Sequence, residues 1–243
     1  MGKIPSIEKL LFNIAEYSDF LPILISLVFL LQIKKWGLDI WLLFSYIVFS
    51  IISVYLADIF PKTTVPYFVS FITLVEYTCF ILFLWLNIQK SKIKNLALLV
   101  SLLFLIFITV YSIKVKIRFI DTIPIGVETI IILFFSFYFF YEQMNIPKTT
   151  FIYTDYRFWV IIGMTIYLAG SFFIYIFADQ FDLKDPIEQK QYFKFYSFTY
   201  LFYALKNLFF SLGIFIYVKN PKQTTRSKSI PYLDMDLNHV TNR

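Results

Sequence analysis

The sequence predicts an all-α membrane protein, a bundle of seven transmembrane helices. Three observations carry this. Of the 243 residues, 59% are hydrophobic, against roughly 45–50% in a soluble chain. Only 16% are charged, against roughly 25% in a soluble chain, too few to cover a globule of this size. Seven stretches approach or reach the roughly 20 apolar residues that cross about 30 Å of hydrocarbon. A soluble enzyme, a nucleic-acid-binding domain and a disordered chain are excluded.

The membrane domain is read as residues 1–218, with spans at about 14–33, 40–60, 67–88, 96–113, 119–141, 158–178 and 195–218. The first is short unless it extends upstream through Ile14 and Ala15. Polar and turn residues punctuate the rest: Lys34-Lys35-Trp36-Gly37, Pro61-Lys62, Gln89-Lys90-Ser91-Lys92, Lys114 to Arg118, Asn145 to Thr150 and Asp179 to Lys194. Runs this long and continuous are helices, because barrel strands would alternate over about 10 residues. Short connections make neighbouring helices antiparallel. Residues 219–243 read as a polar, basic and flexible tail. No cleavable signal peptide is expected, because polar and mixed residues precede the first apolar run and no small-residue site follows it. Met1-Gly2-Lys3-Ile4-Pro5-Ser6 fits the loose myristoylation pattern, read as chance in a polytopic chain.

Seven spans place the termini on opposite sides. With the N-terminus outside, twelve basic residues fall inside: Lys34, Lys35, Lys90, Lys92, Lys94, Lys148, Arg157, Lys219, Lys222, Arg226, Lys228 and Arg243. Nine fall outside, at Lys3, Lys9, Lys62, Lys114, Lys116, Arg118, Lys184, Lys190 and Lys194. The balance favours a cytoplasmic C-terminus, although the cluster from Lys114 to Arg118 opposes it. Acidic residues lean outward, Asp19 among them. All four tryptophans, Trp36, Trp41, Trp85 and Trp159, then lie at the cytoplasmic interface and read as helix anchors in an aromatic belt. Gly163 and Gly170 share a face of the sixth span, and with Gly213 of the seventh they read as close-packing positions. Pro124 and Gly126 open the fifth span and are expected to bend it.

Chemistry concentrates in three intramembrane charges, Glu76, Glu128 and Lys206. Each is disfavoured at the bilayer centre by roughly 2.5–3.5 kcal/mol, and such residues usually face the bundle interior. Counted along their spans, they lie about 14, 14 and 17 Å from one face, so they could form one layer. Two carboxylates and one ammonium leave one negative charge, met by a proton on one glutamate or by a cation. Thr73 and Tyr77 share a face with Glu76, and Tyr203 and Asn207 share one with Lys206. Tyr46, Ser50 and Ser53 line a face of the second span. The alternative is a structural network that holds the helices in register. Lys206 in the last span is superficially similar to the Schiff-base lysine of seven-helix retinal proteins. Phe202 stands one turn before it, however, and that span has no carboxylate.

No catalytic set is present. One histidine and one cysteine leave no metal site and no intrachain disulfide, and no cofactor is expected. There is no P-loop and no Gly-x-Gly-x-x-Gly.

Several segments resemble a group of small seven-helix membrane proteins common in Bacteroidota. They are Thr73-Leu74-Val75-Glu76-Tyr77, Val127-Glu128-Thr129, Arg157-Phe158-Trp159-Val160-Ile161-Ile162-Gly163 continuing through Ile166 to Ser171, and Leu205-Lys206-Asn207-Leu208-Phe209-Phe210 followed by Gly213. The resemblance covers the third to seventh spans. It implies only a shared polar interior, with no activity to carry over; the bias to Phe, Ile, Lys, Tyr and Asn suits an AT-rich bacterium, and the chain is read as a bacterial inner-membrane protein. The expected function is a sensory or signal-linked protein that binds a small ligand or proton among the third, fifth and seventh spans. Its partners would be the lipid bilayer and, through the tail, a cytoplasmic protein; nucleic acid is not expected. One rival is a small proton-coupled transporter, with two three-helix repeats around the fourth span. A third reading is an intramembrane enzyme with Glu76 and Glu128 as acid and base.

Overall fold

The computed structural model of the chain describes residues 7–28, 36–59, 61, 64–114, 122–145, 152–178, 180–181 and 185–219. Among the described residues about 92% are helical and none is in a strand. The helices are α1 (Ile7–Val28), α2 (Leu38–Ile59), α3 (Val65–Asn87), α4 (Ser91–Lys114), α5 (Thr122–Met144), α6 (Tyr156–Ala178), α7 (Pro186–Tyr196) and α8 (Thr199–Lys219), with a short 3-10 turn at Ile152–Thr154. Seven stretches are long and apolar enough to cross a membrane, the last formed by α7 and α8 together. The fold is an all-α seven-helix bundle, and the chain is a multi-pass membrane protein. The Lys34-Lys35 pair, residues 115–121 and 146–151 and the tail beyond Lys219 lie outside the described residues.

Helix ends follow local chemistry. Pro124 stands in the first turn of α5, where its missing N–H interrupts no intrahelical bond. The stretch before the last span, read from sequence as a break, contains α7. Asp185 caps it by accepting from the Ile187 N–H at 2.9 Å, and Pro186 fills its first position. Both signals stood in the sequence, but the low apolar content hid them. α7 has no buried residue; the turn at Ser197 and Phe198 joins it to α8.

α6 and α8 make the most extensive helix pair, and glycines permit it. A Cβ on Gly163 would stand 2.9 Å from Phe209 Cβ and 3.2 Å from the Lys206 carbonyl. One on Gly213 would stand 2.6 Å from Val160 Cγ2, and one on Gly170 would strike the Phe202 ring. α8 also packs along α1. α4 lies at the edge, chiefly against α3 and α5. It presents Leu98, Leu99, Leu102, Leu103 and Ile106 outward, as a lipid-facing helix does. The fourth span is therefore peripheral, not the axis of two repeats. The apolar core runs between α2, α3, α5, α6 and α8 through Phe80, Leu84, Ile132, Phe139, Ile161 and Phe210.

Candidate functional site

Lys206 is fully buried. An ammonium there requires anionic or aromatic partners, since an isolated charge in low dielectric is strongly disfavoured. It has both. Lys206 Nζ donates to the Tyr46 hydroxyl at 2.7 Å and lies 3.7 Å from Glu76 Oε1. Tyr46 donates onward to the same Glu76 oxygen at 2.6 Å. The Tyr167 hydroxyl donates to Glu76 Oε2 at 3.3 Å. Three rings also face the ammonium, with centroids of Tyr203, Tyr167 and Tyr46 at 4.1, 4.3 and 5.0 Å, a cation–π cage. Four helices build it: α2 brings Tyr46, α3 Glu76, α6 Tyr167 and α8 Tyr203 and Lys206.

A second carboxylate borders the cage. Asp19 of α1, read from sequence among the outward acids, is 9% exposed. Asn207 Nδ2 donates to Asp19 Oδ1 at 2.7 Å and to Ser18 Oγ at 3.0 Å. Asp19 also meets the Tyr203 hydroxyl, which shares a hydrogen bond with Ser50 Oγ at 2.8 Å. Asp19 escaped the sequence reading because it stands near the edge of the apolar run. Its signal was the adjacent Ser18 within a helix-length stretch. Tyr167 escaped because tyrosine is abundant in this chain.

The other expected site residues separate. Tyr77 turns to α4 and donates to Ser101 Oγ at 2.9 Å. Thr73 bonds its own helix at the Val69 carbonyl. Glu128 is 2% exposed. Among the described residues it makes no ion pair, and its Oε1 has no hydrogen-bond partner. It is nevertheless near the cage, for Glu76 acts on it electrostatically and it acts on Tyr167. The three intramembrane charges thus form one close pair and one neighbouring acid.

One end of the bundle carries the tryptophans. Trp36 is buried and packs on Trp41 with centroids 5.3 Å apart. Trp85 lies under Lys94. Trp159 stacks on Phe209 and donates to the Tyr153 carbonyl at 2.8 Å. At the same end the Gly37 N–H donates to the Tyr217 hydroxyl at 2.8 Å, and the Tyr156 hydroxyl donates to Asp39 Oδ2. This clasp ties α2, α6 and α8, three of the helices that form the Lys206 cage.

Among the described residues no three His, Cys, Asp or Glu side chains gather to hold a metal ion. The arrangement can stabilise a buried ammonium, and it can bind or release a proton or small cation where carboxylates outnumber Lys206. The chain matches no protein-family description, no curated protein and no solved structure with which it was compared.

Proposed function

We propose that this chain is a bacterial inner-membrane sensory protein, N-terminus outside, whose input is a proton or small ligand at the buried charge layer of Asp19, Glu76, Glu128 and Lys206. The observation that carries the reading is the single ammonium held between Tyr46 and Glu76, with the buried Asp19 carboxyl bordering it and the buried Glu128 carboxyl near Glu76. Such a layer is expensive in a membrane, and its charge balance changes with each proton or cation taken up. The clasp at Asp39, Tyr156 and Tyr217 lies on α2, α6 and α8, so a change in the cage has a physical route to the end from which the basic tail departs. That tail would dock a cytoplasmic protein or anionic lipid.

The four tryptophans report on that end without a label. On the purified chain in detergent, tryptophan emission titrated with pH should shift for wild type and stay flat for Glu76→Gln. An emission that does not move in wild type removes the proton as input. Dissipation of an imposed pH gradient by the chain in liposomes would replace the sensor with a transporter.

A further inference from the structure

Hydroxyls in membrane helices ordinarily bond back to the carbonyl one turn earlier. This chain follows that habit at Ser26, Thr73, Ser101, Thr109, Thr165 and Ser211. Thr129 and Ser171 do not. Among the described residues each hydroxyl is buried with no partner, and so is Glu128 Oε1. The three side chains are 0%, 3% and 2% exposed. An unpartnered buried polar atom loses its hydration without replacement, so three of them call for an occupant.

They also share a level. Gly126 faces Phe172 and Phe140 faces Phe158. Both steps are fourteen residues on their helices, so the antiparallel register of α5 on α6 is constant. Ser171 then falls opposite Val127, one residue from Glu128. On the other side, Glu142 accepts from the Gln89 N–H at 2.7 Å, and α3 runs parallel to α5. Glu76 stands close enough to Glu128 to act on it electrostatically, and α3 packs against α5. Ser136, also unpartnered, lies about 10 Å further along α5, outside this corner.

We propose that the corner between α3, α5 and α6 binds a monovalent alkali cation of the sodium class, with Glu128, Thr129 and Ser171 as oxygen ligands and Glu76 as the nearby second carboxylate. Hard cations take oxygen ligands. A proton on Glu128 lets it donate to one neighbouring hydroxyl, whereas a single cation can be coordinated by all three oxygens at once. The charge fits a single positive ion, because Lys206 already pairs with Glu76 and Glu128 has no countercharge among the described residues. A divalent ion would seek the third acidic or imidazole ligand that is absent among them. The proposal goes beyond the sensor reading and does not rest on it, since a bound ion can serve stability alone.

The test is thermal unfolding of the full chain in detergent, titrated with sodium chloride against choline chloride at equal ionic strength. A site predicts a saturable rise of a few degrees in Tm with sodium and none with choline. Thr129→Val and Ser171→Ala, which keep volume and charge, should each move the half-saturating sodium concentration upward by about tenfold, the share of one hydrogen-bond-class ligand. Glu128→Gln should abolish the response. Equal responses to sodium and choline overturn the proposal, whether or not a variant folds. So do unchanged half-saturation in both hydroxyl variants, or a sodium response that survives Glu128→Gln. A Tm that follows pH and ignores sodium would assign the corner to a proton instead, leaving the sensor reading standing.

Discussion

Two buried polar regions lie side by side in this bundle and obey opposite rules. Around Lys206 each charged or phenolic group has a partner: the ammonium has Tyr46 and Glu76, Glu76 has Tyr46 and Tyr167, and Asp19 has Asn207. Around Glu128 the carboxyl Oε1 and the hydroxyls of Thr129 and Ser171 have none among the described residues. Both regions pay the desolvation of polar groups. Only the first recovers it within the chain. The difference teaches that a buried charge is not by itself a binding site. A completed network holds helices together, while an incomplete one leaves chemistry for an occupant.

The comparison breaks most visibly when one partner of the completed pair is removed. Lys206→Met or Glu76→Gln leaves the opposite charge uncompensated, and each should lower stability by about 3–5 kcal/mol. The double variant should be much less damaged than the sum of the singles. Thermal unfolding of the detergent-purified chain reads both. Additive losses would mean that the 3.7 Å pair is not coupled. Next in size is Tyr46→Phe, which keeps the ring over Lys206 and deletes the hydroxyl between Nζ and Glu76. Its expected loss is about 1–3 kcal/mol. Tyr167→Phe, whose bond to Glu76 is longer at 3.3 Å, should lose less in the same assay.

Much of this architecture was readable before the structure. Composition and seven apolar runs announce the helical membrane bundle, because a lipid solvent demands internally bonded backbones. Glu76, Glu128 and Lys206 stood out for the same reason: a charge in an apolar run is conspicuous. Which of them meet was not readable. Depth along a span fixes a layer, but rotation of each helix about its axis decides partners: Glu76 takes the Tyr46 and Tyr167 hydroxyls, while Glu128 Oε1 takes none among the described residues. Tyr77 illustrates this: it is adjacent in sequence to Glu76 yet bonds α4 through Ser101. Asp19 was lost to a boundary. It already lies within the first span at about 14–33 but precedes the continuous apolar run from Phe20, so it reads as an outward acid, whereas α1 (from Ile7) sets it against Asn207.

A smaller effect is expected at Glu142, which sits on α5 with Glu128 but belongs to the completed class. Its carboxylate accepts from the Gln89 and Lys90 backbone N–H groups at 2.7 and 3.0 Å. It thus satisfies free donors at the start of α4 in the manner of a cap. Glu142→Gln retains one acceptor and loses the charge, so about 1 kcal/mol of stability should go. Full retention of Tm would show that these donors find other partners.

Glu128→Gln carries the smallest change and the most informative sign. In sodium-free buffer the substitution removes a buried carboxyl that has no ion-pair partner among the described residues and relieves its repulsion with Glu76. Its Oε1 takes no hydrogen bond among the described residues, so the substitution loses none there. Neutral replacement of an uncompensated buried acid is expected to leave stability unchanged or raise it by up to about 1 kcal/mol, the opposite direction from Glu76→Gln. With saturating sodium the order should invert, because wild type then gains the ion and the variant does not. A loss of several kcal/mol in sodium-free buffer would place Glu128 in the completed network with Glu76 and erase the distinction between the two regions.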